Sequence, residues 1–585
     1  LLNARGFMSS AYTNEKNTLI IIALLKAHCI RNIIASPGTT NTAFVGSIQN
    51  DSFFRVFSSA DERSAAYIAC GMAADIGEPV VISCTGATAS RNYVPGLTEA
   101  YYRKLPVLAI TSTQTTSKIG HHIAQVIDRS VIQNDIAKLS VTLPVVKDEN
   151  DFWDCEIKVN KALLELKRHG GGPVHINLPT TYSLPFQTKE LPSCRVIERI
   201  TRDDQFPHLA GRIAVFIGSH KPWTYTETQV LDRFCAVNNA VVFCDHTSGY
   251  RGKYRLLFAL PAAQEMLDNS VCRPDIMIHI GEISGDYATL SMVGKQVWRV
   301  NEDGEIRDTF RKLRYVFEMP EKNFFEHYSH GTAETDIYLQ TCQSRLDNLR
   351  SKIPELPFSN IWVASRLASR IPEGSIIHFG ILNSLRSWNF FELPATVTSA
   401  SNVGGFGIDG VLSSFVGSSL INKDKLYFCV LGDLAFFYDM NVLGNRHVGK
   451  NLRILLINNG TGTEFRQYNH HAAYFGEATN KFIAATGHYG NKSPVLVKHY
   501  AEDLGFEYLS ASNKHEFDNI YDRFLTPRVT EKPIFFEVFT NSNEESLALN
   551  RIQNLELTTK MRVKALSKKL FGSNGIRVLK KVIKS

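Results

Sequence analysis

The run Leu426-Tyr427-Phe428-Cys429-Val430-Leu431 ends in Gly432-Asp433-Leu434, and 23 residues further on a second apolar run, Ile454-Leu455-Leu456-Ile457, ends in Asn458-Asn459-Gly460-Thr461. Both runs have the length and composition of strands buried on both faces. A carboxylate at one strand end, with an amide and a free carbonyl at the next, forms a hard oxygen cage suited to Mg²⁺, and that cation can hold a diphosphate. Gly432, Gly460 and Gly462 let the backbone approach the phosphate closely. Gly-Asp or Asn-Asn alone is ordinary turn sequence. The information lies in their pairing at this spacing, each directly after a buried-type strand.

Outward from that pair, strands Ile376–Phe379, Val397–Ser399 and Ile534–Val538 complete a block from about Pro357 to Asn541. A second block carries Ile213–Ile217, Ala240–Phe243 and Ile276–Ile280 and ends near Val300. Its Gly218 and Gly281 follow strands but belong to no GxGxxG, so a dinucleotide site there is not expected. In the first block a helix at Asn17–Ala27, strand Asn32–Ala35, helix Glu62–Ala74 and strands Val80–Cys84, Val107–Thr111 and Val174–Asn177 alternate. Such alternation predicts an α/β protein of three doubly wound parallel-sheet domains, at 8–185, 206–330 and 357–545, followed by a basic helical tail at 546–585. The polar, Pro-containing stretch from Pro185 to Phe206 reads as a linker.

A chain of 585 residues with 44% hydrophobic content exceeds one core. Its ten cysteines occur singly, without CxxC or Cys/His metal spacing, as suits a reducing cytoplasm. The opening residues lack a secretory pattern, and no apolar stretch reaches a bilayer span. Of the formal +7, nine Lys or Arg lie between Lys560 and Ser585 with no acid among them, so +7 less nine leaves −2 for the rest of the chain. Basicity therefore belongs to the tail, and a nucleic-acid-binding body is not expected. Within the tail Val563, Leu566, Leu570, Ile576, Leu579, Val582 and Ile583 recur three or four apart among the lysines. That pattern fits a helix lying on an anionic membrane surface, and equally a helix packed on a neighbouring subunit.

The paired strand ends resemble the signature of the thiamine diphosphate (ThDP) superfamily of pyruvate decarboxylases and acetohydroxyacid synthases. Further motifs carry the likeness across the three blocks: Ser36-Pro37-Gly38, Asp61-Glu62-Arg63, Ala124-Gln125-Val126-Ile127-Asp128, Gly407-Ile408-Asp409-Gly410 with Leu412-Ser413, and Gly432-Asp433-Leu434 through Tyr438-Asp439-Met440-Asn441. These resemble in particular the menaquinone-pathway synthase that joins 2-oxoglutarate to isochorismate. The resemblance implies a pyrimidine-binding first domain, a central domain and a diphosphate-binding third domain, with ThDP and Mg²⁺ as cofactors; some relatives carry a flavin in the central domain, and with no strong flavin signal in this sequence FAD is not expected. It implies Asp433, the Asn459 side chain and the Thr461 carbonyl as metal ligands. Gly432, Leu434 and Gly462 would join them around the diphosphate, and Gly38, Asn383, Ser384, Gly404 and Gly405 would contact the cofactor. Ile408 would be the apolar wedge that bends it, and Gln125 would orient a substrate oxygen.

The cofactor's reactive form needs a buried carboxylate against one aminopyrimidine nitrogen, a role the resemblance gives to Glu62. Without it, Asp61 would simply cap a helix and Glu62 strengthen its first turn. His121 and His122 resemble the paired histidines of pyruvate decarboxylases, which handle protons near neutrality, though adjacent histidines in a polar loop are also commonly just solvated. His470 and His471 fall in a segment that becomes a lid in relatives.

The synthase grips its carboxylate-rich substrates with arginines, and here Thr40, Gln114 and Val403 stand in those places. A smaller or less charged 2-oxo acid is therefore expected, pyruvate by default, with the resulting carbanion ligated to a second carbonyl compound such as a nucleotide-activated keto sugar. The expected assembly is a homodimer or tetramer with active sites at the subunit interface, in the cytoplasm or peripheral at the membrane. A simple 2-oxo acid decarboxylase, the menaquinone-pathway synthase itself, and a non-catalytic membrane-associated scaffold stay open as alternatives.

Overall fold

The computed structural model of the chain describes residues 11–333, 335–487 and 493–556. The chain forms two compact units, one made of the segment up to Gln205 with Asp303–Glu318, the other of Phe206–Glu302 with the segment from Met319 on.

In the first unit strands β1 (Asn32–Ala35), β2 (Arg55–Ser58), β3 (Val80–Thr85), β4 (Val107–Thr113), β5 (Leu139–Thr142) and β6 (Val174–Pro179) form a parallel sheet ordered β2-β1-β3-β4-β6-β5. The two-residue period of the strands sends Ile33, Val81 and Leu108 to one face and Ile34, Ile82 and Ala109 to the other. Helices Lys16–Ala27 and Glu149–Glu165 cover the first face, and helices Glu62–Ile76 and Val94–Tyr102 the second. Small residues bring the latter pair close: a Cβ on Gly96 would lie 2.4 Å from that of Ala66. Strands β7 (Glu198–Ile200) and β13 (Leu313–Glu318) add a parallel pair. The stretch read as a linker thus contains a strand, anchored where Arg195 pairs with Glu156 (2.7 Å) and Asp308 (2.8 Å).

In the second unit strands β8 (Ile213–Ile217), β9 (Val241–Cys244), β10 (Arg255–Leu257), β11 (Ile276–Ile280) and β12 (Gln296–Asn301) run parallel in the order β10-β9-β8-β11-β12. At the carboxyl ends of β8 and β11, Gly281 lines a cavity of about 550 Å³ with Ser219, His220, Lys221, Glu282 and Asn301. Gly218 N–H donates to the Ile280 carbonyl (3.0 Å) and Glu282 N–H to that of Ser219 (2.7 Å), so the two strand ends close on each other. A separate parallel sheet, ordered β15-β14-β16-β17-β19-β18, is built from β14 (Ile376–Phe379), β15 (Thr398–Ser401), β16 (Tyr427–Gly432), β17 (Leu452–Asn458), β18 (Glu507–Ala511) and β19 (Ile534–Phe539). One face of β16 and β17 packs Cys429, Leu431, Ile454 and Leu456 against Leu412, Phe415 and Phe436.

Helix Ser542–Gln553 runs across residue 545 and buries Glu545, Ala548 and Ile552. The basic tail read from the sequence lies, beyond residue 556, outside the described residues. Among the described residues no helix is long and apolar enough to cross a membrane.

Candidate active site

The register of β16 and β17 sets Gly432 opposite Ile457, so Asp433 and the Asn458-Asn459 pair leave the sheet side by side at its carboxyl edge. Asp433 opens helix Asp433–Asp439 and is 5% exposed. Burial pushes its carboxyl up to about 7, while the backbone amides of Leu434, Gly460 and Thr461 pull the other way. The two asparagines divide their tasks. Asn458 donates to Glu537 (2.7 Å), whereas the Asn459 amide oxygen is buried without a partner. Gly460 sits at φ +71°, a conformation that costs any residue with a Cβ. Thr461 is fixed through its hydroxyl to Thr486 (2.6 Å) and the Ala484 carbonyl (3.1 Å).

Asp433, Asn459 and Thr461 line a cavity of about 120 Å³ together with Asn383, Ser384, Ile408, Gly432, Leu434 and Gly462. A Cβ on Gly432 would meet nothing within 4 Å, so the strand end is open for a ligand. One buried carboxylate held high and one orphaned amide oxygen are what a divalent cation would satisfy, and no group of three or more His, Cys, Asp or Glu side chains suited to a metal exists among the described residues. The residues present fit Mg²⁺ with a diphosphate.

Gly404 and Gly405 are exposed and do not line this cavity. The neighbouring Leu382 and Phe406 hold left-handed backbones, φ +64° and +55°, strain of the kind that gathers at working sites.

In the first unit Glu62 is the first residue of its helix and accepts from Asn92 Nδ2 (3.2 Å). It is half-buried in the single chain, where full burial was expected. Asp61 caps the helix through Arg63 N–H (3.0 Å), as the plain reading of that position has it. Gly38 backs onto Thr85, whose Cβ would lie 2.6 Å from a Cβ placed on it. His121, His122 and Gln125 all stand exposed on one irregular loop, and His122 (φ +53°) and Gln125 (φ +63°) are left-handed.

Two of the three residues that stand where arginines were expected are buried. Thr40 is buried, donating to the Ser112 carbonyl (2.9 Å) and touching the Thr85 hydroxyl, and Val403 is buried too. Both side chains are packed inside the fold. Gln114 accepts from Lys118 (2.6 Å).

Residues that sequence reasoning passed over also line the cavity. Glu545 is buried, accepts from Asn360 N–H with both oxygens (2.9 and 3.1 Å) and from the Thr540 hydroxyl (2.7 Å), and burial pushes its carboxyl up to about 7. Glu464 pairs with Arg386 (2.6 Å), and the Asn383 amide clasps it by donating to its carboxylate and accepting from its N–H, both at 2.9 Å. In sequence Glu545 looks like any acid in a first helical turn, and only the fold buries it.

The N-terminal TPP binding domain of thiamine pyrophosphate enzymes matches residues 17–132. Over its length the chain is 31% identical to the 2-succinyl-5-enolpyruvyl-6-hydroxy-3-cyclohexene-1-carboxylate synthase of Bacteroides thetaiotaomicron, with 92% of this chain and 98% of that protein covered. It is 30% identical to the synthase of the same name from Bacteroides fragilis, with the same coverage, and 25% identical to that of Flavobacterium johnsoniae, covering 91% and 97%. Fold, cradle and similarity agree on a ThDP-dependent enzyme of the decarboxylase type. The chain belongs to the thiamine diphosphate-dependent 2-oxo acid decarboxylase and carboligase superfamily, with the synthases just described among its relatives.

Proposed function

We propose that the chain, with ThDP and Mg²⁺, removes CO₂ from a 2-oxo acid, pyruvate by default, and joins the remaining acyl unit to a second carbonyl compound. The net change is R–CO–COO⁻ + H⁺ + R′R″C=O → R–CO–C(OH)R′R″ + CO₂. The observation that carries this reading is the buried Asp433 carboxyl beside the orphaned Asn459 oxygen, at adjacent strand ends. ThDP, when bound, supplies the electron sink for carbon–carbon cleavage.

The protein's own part is positioning and proton handling. Asp433, the Asn459 oxygen and the Thr461 carbonyl would hold Mg²⁺ and through it the diphosphate, with Gly432, Leu434 and Gly462 shaping the bed. Ile408 would prop the cofactor from the cavity wall. Glu62 would exchange a proton with a ring nitrogen of the aminopyrimidine, and Asn92 aims its carboxylate. Gln125, His121 and His122 would attend the substrate oxygen and proton, and His470 and His471 would cover the site.

Glu62 of one chain would serve the cradle of another in a homodimer. Exposed apolar side chains on and beside its helix, Phe57, Tyr67, Ile68 and Ile76, support a covering partner, as do Tyr474, Phe475 and Phe482 in the segment after the cradle.

The similarity to the named synthases favours a second reading, the same synthase reaction from 2-oxoglutarate and isochorismate. The packed side chains at Thr40 and Val403 weigh against it. CO₂ release from pyruvate and from 2-oxoglutarate, each with and without isochorismate, separates the two. Turnover of pyruvate supports the first reading, and turnover of 2-oxoglutarate alone, dependent on isochorismate, overturns it.

A further inference from the structure

Within the first unit a small cavity, about 20 Å³, lies between helix Val94–Tyr102 and the segment 129–137. Its polar lining includes Arg91, Arg129, Thr111 and His175, and aliphatic side chains such as Leu97 and Ile132 close the rest. Arg129 is 3% exposed. One end of its guanidinium, Nη2, donates to the Asn177 side-chain oxygen, while Nη1 is buried without an acceptor. A guanidinium has donors only, so nothing within the group itself can make good that loss.

No carboxylate balances this charge among the described residues. Burial pulls the Arg129 pKa down to about 10, still well above neutrality, and the groups that act on it are the Cys84 thiol and Arg91. Burial pushes that thiol up to about 12, so it carries no charge at neutral pH. His175 is uncharged as well, drawn down to about 3 by burial, and the Thr111 (2.7 Å) and Ser140 (2.8 Å) hydroxyls engage both its ring nitrogens. Arg91 donates to the Asp128 carbonyl (3.3 Å). The Asp128 carboxylate is exposed and turned to Ser130, accepting from its N–H (2.9 Å) and hydroxyl (2.7 Å). Glu62 bears on the Tyr93 hydroxyl and accepts from Asn92 (3.2 Å), but is not among the groups acting on Arg129.

A buried ion without a countercharge is one of the costliest arrangements a fold can hold. A water molecule beside Nη1 would accept its hydrogen bond and leave the charge unmet, whereas an anion answers both. Size narrows the choice further. Roughly 10–15 Å³ is enough for one water-sized particle, so the 20 Å³ here suits a single-atom ion and has no room for phosphate, sulfate or the body of an organic acid. We infer that this cavity is a binding site for one monovalent anion of the halide class, chloride in ordinary solution, held by Arg129 Nη1 with Arg91 adding to the positive field. The site is built by the first unit alone and does not rest on the function proposed above. Through Arg129 and Asn177 the ion would tie the end of the loop that carries Gln125 to β6.

The test follows thermal unfolding of the full chain while sodium gluconate is exchanged for sodium chloride at constant ionic strength, so that screening stays the same. Chloride should raise the midpoint of the native chain by about 2–4 °C, with saturation. Arg129→Gln should show no chloride response, and in gluconate it should unfold no earlier than the native chain, because the unmet charge has gone. An arginine with a merely structural role would leave Arg129→Gln less stable by the same amount in both salts, and that result overturns the inference. If Arg129→Gln does not fold, native crystals soaked in sodium bromide decide, with an anomalous peak expected at Arg129 Nη1. Bromide found elsewhere but not there, or bromide there with no chloride response in solution, an adventitious ion only, overturns it. Protection by sodium pyruvate with none by chloride would make the ligand a carboxylate and overturns it too.

Discussion

At Asp433 burial holds the carboxyl near 7 against an ordinary 3.8. Between those values the folded chain keeps a proton that the unfolded chain has released, so stability falls as pH rises from about 4 to about 7 and is level above. Buried Glu545, near 7, and Asp286, near 6, act with the same sign. Thermal unfolding of the metal-free protein should therefore come at lower temperature at pH 7.5 than at pH 5.5. Asp433→Asn should flatten part of that slope, and Mg²⁺ with ThDP should stabilise more at pH 7.5 than at 5.5. Gly460→Ala, at φ +71°, should cost about 1–2 kcal/mol of stability in denaturant titration. It should also weaken ThDP binding, because the strained turn carries the Asn459 oxygen.

Among elements, helices Val411–Ser419 and Asp433–Asp439 are clasped by one residue. Asp439 accepts from Ser413 N–H and from the Ser413 hydroxyl, both at 2.6 Å. The first helix comes just after Ile408, the proposed wedge, and the second begins with Asp433, the proposed metal ligand, so this clasp sets the two against each other. Asp439→Ala should cost about 0.5–1.5 kcal/mol by removing these hydrogen bonds, with a parallel loss of ThDP affinity by titration calorimetry.

The interior strands were legible for a related physical reason. Buried along most of their length, β1, β8, β11 and β14 read as largely apolar runs, and the sequence placed each at its observed bounds. Strands β2, β5, β7 and β18 were missed because edge strands are short and polar, every residue of β2, Arg55-Val56-Phe57-Ser58, being exposed; β10, β12 and β13 were missed as well. The Asp433 and Asn459 pair was legible because a buried strand fixes the position of the residues at its carboxyl end. Glu545 and Glu464 were not, because their setting depends on which helices the tertiary fold brings together. The packing of Thr40 on Thr85 is likewise visible only in three dimensions.

For the whole molecule, a dimer with shared active sites makes a prediction no single chain can satisfy. Glu62→Gln and Asp433→Asn homodimers should each be inactive. Dissociated and reassembled together, they should form mixed dimers with one intact site each, restoring roughly a quarter of native activity by random pairing. Absence of any recovery in mixed dimers shown to have formed would place Glu62 and Asp433 in one chain's own site. The central claim, that Glu62 and the Asp433 cradle together drive cleavage of a 2-oxo acid, is tested most directly by CO₂ release from a panel of 2-oxo acids with ThDP and Mg²⁺, comparing the native chain with Glu62→Gln. The account predicts turnover of one acid that drops by about 10²–10⁴-fold in the variant while ThDP still binds. Equal turnover by the two chains, or none by the native chain with any acid and acceptor, would contradict it.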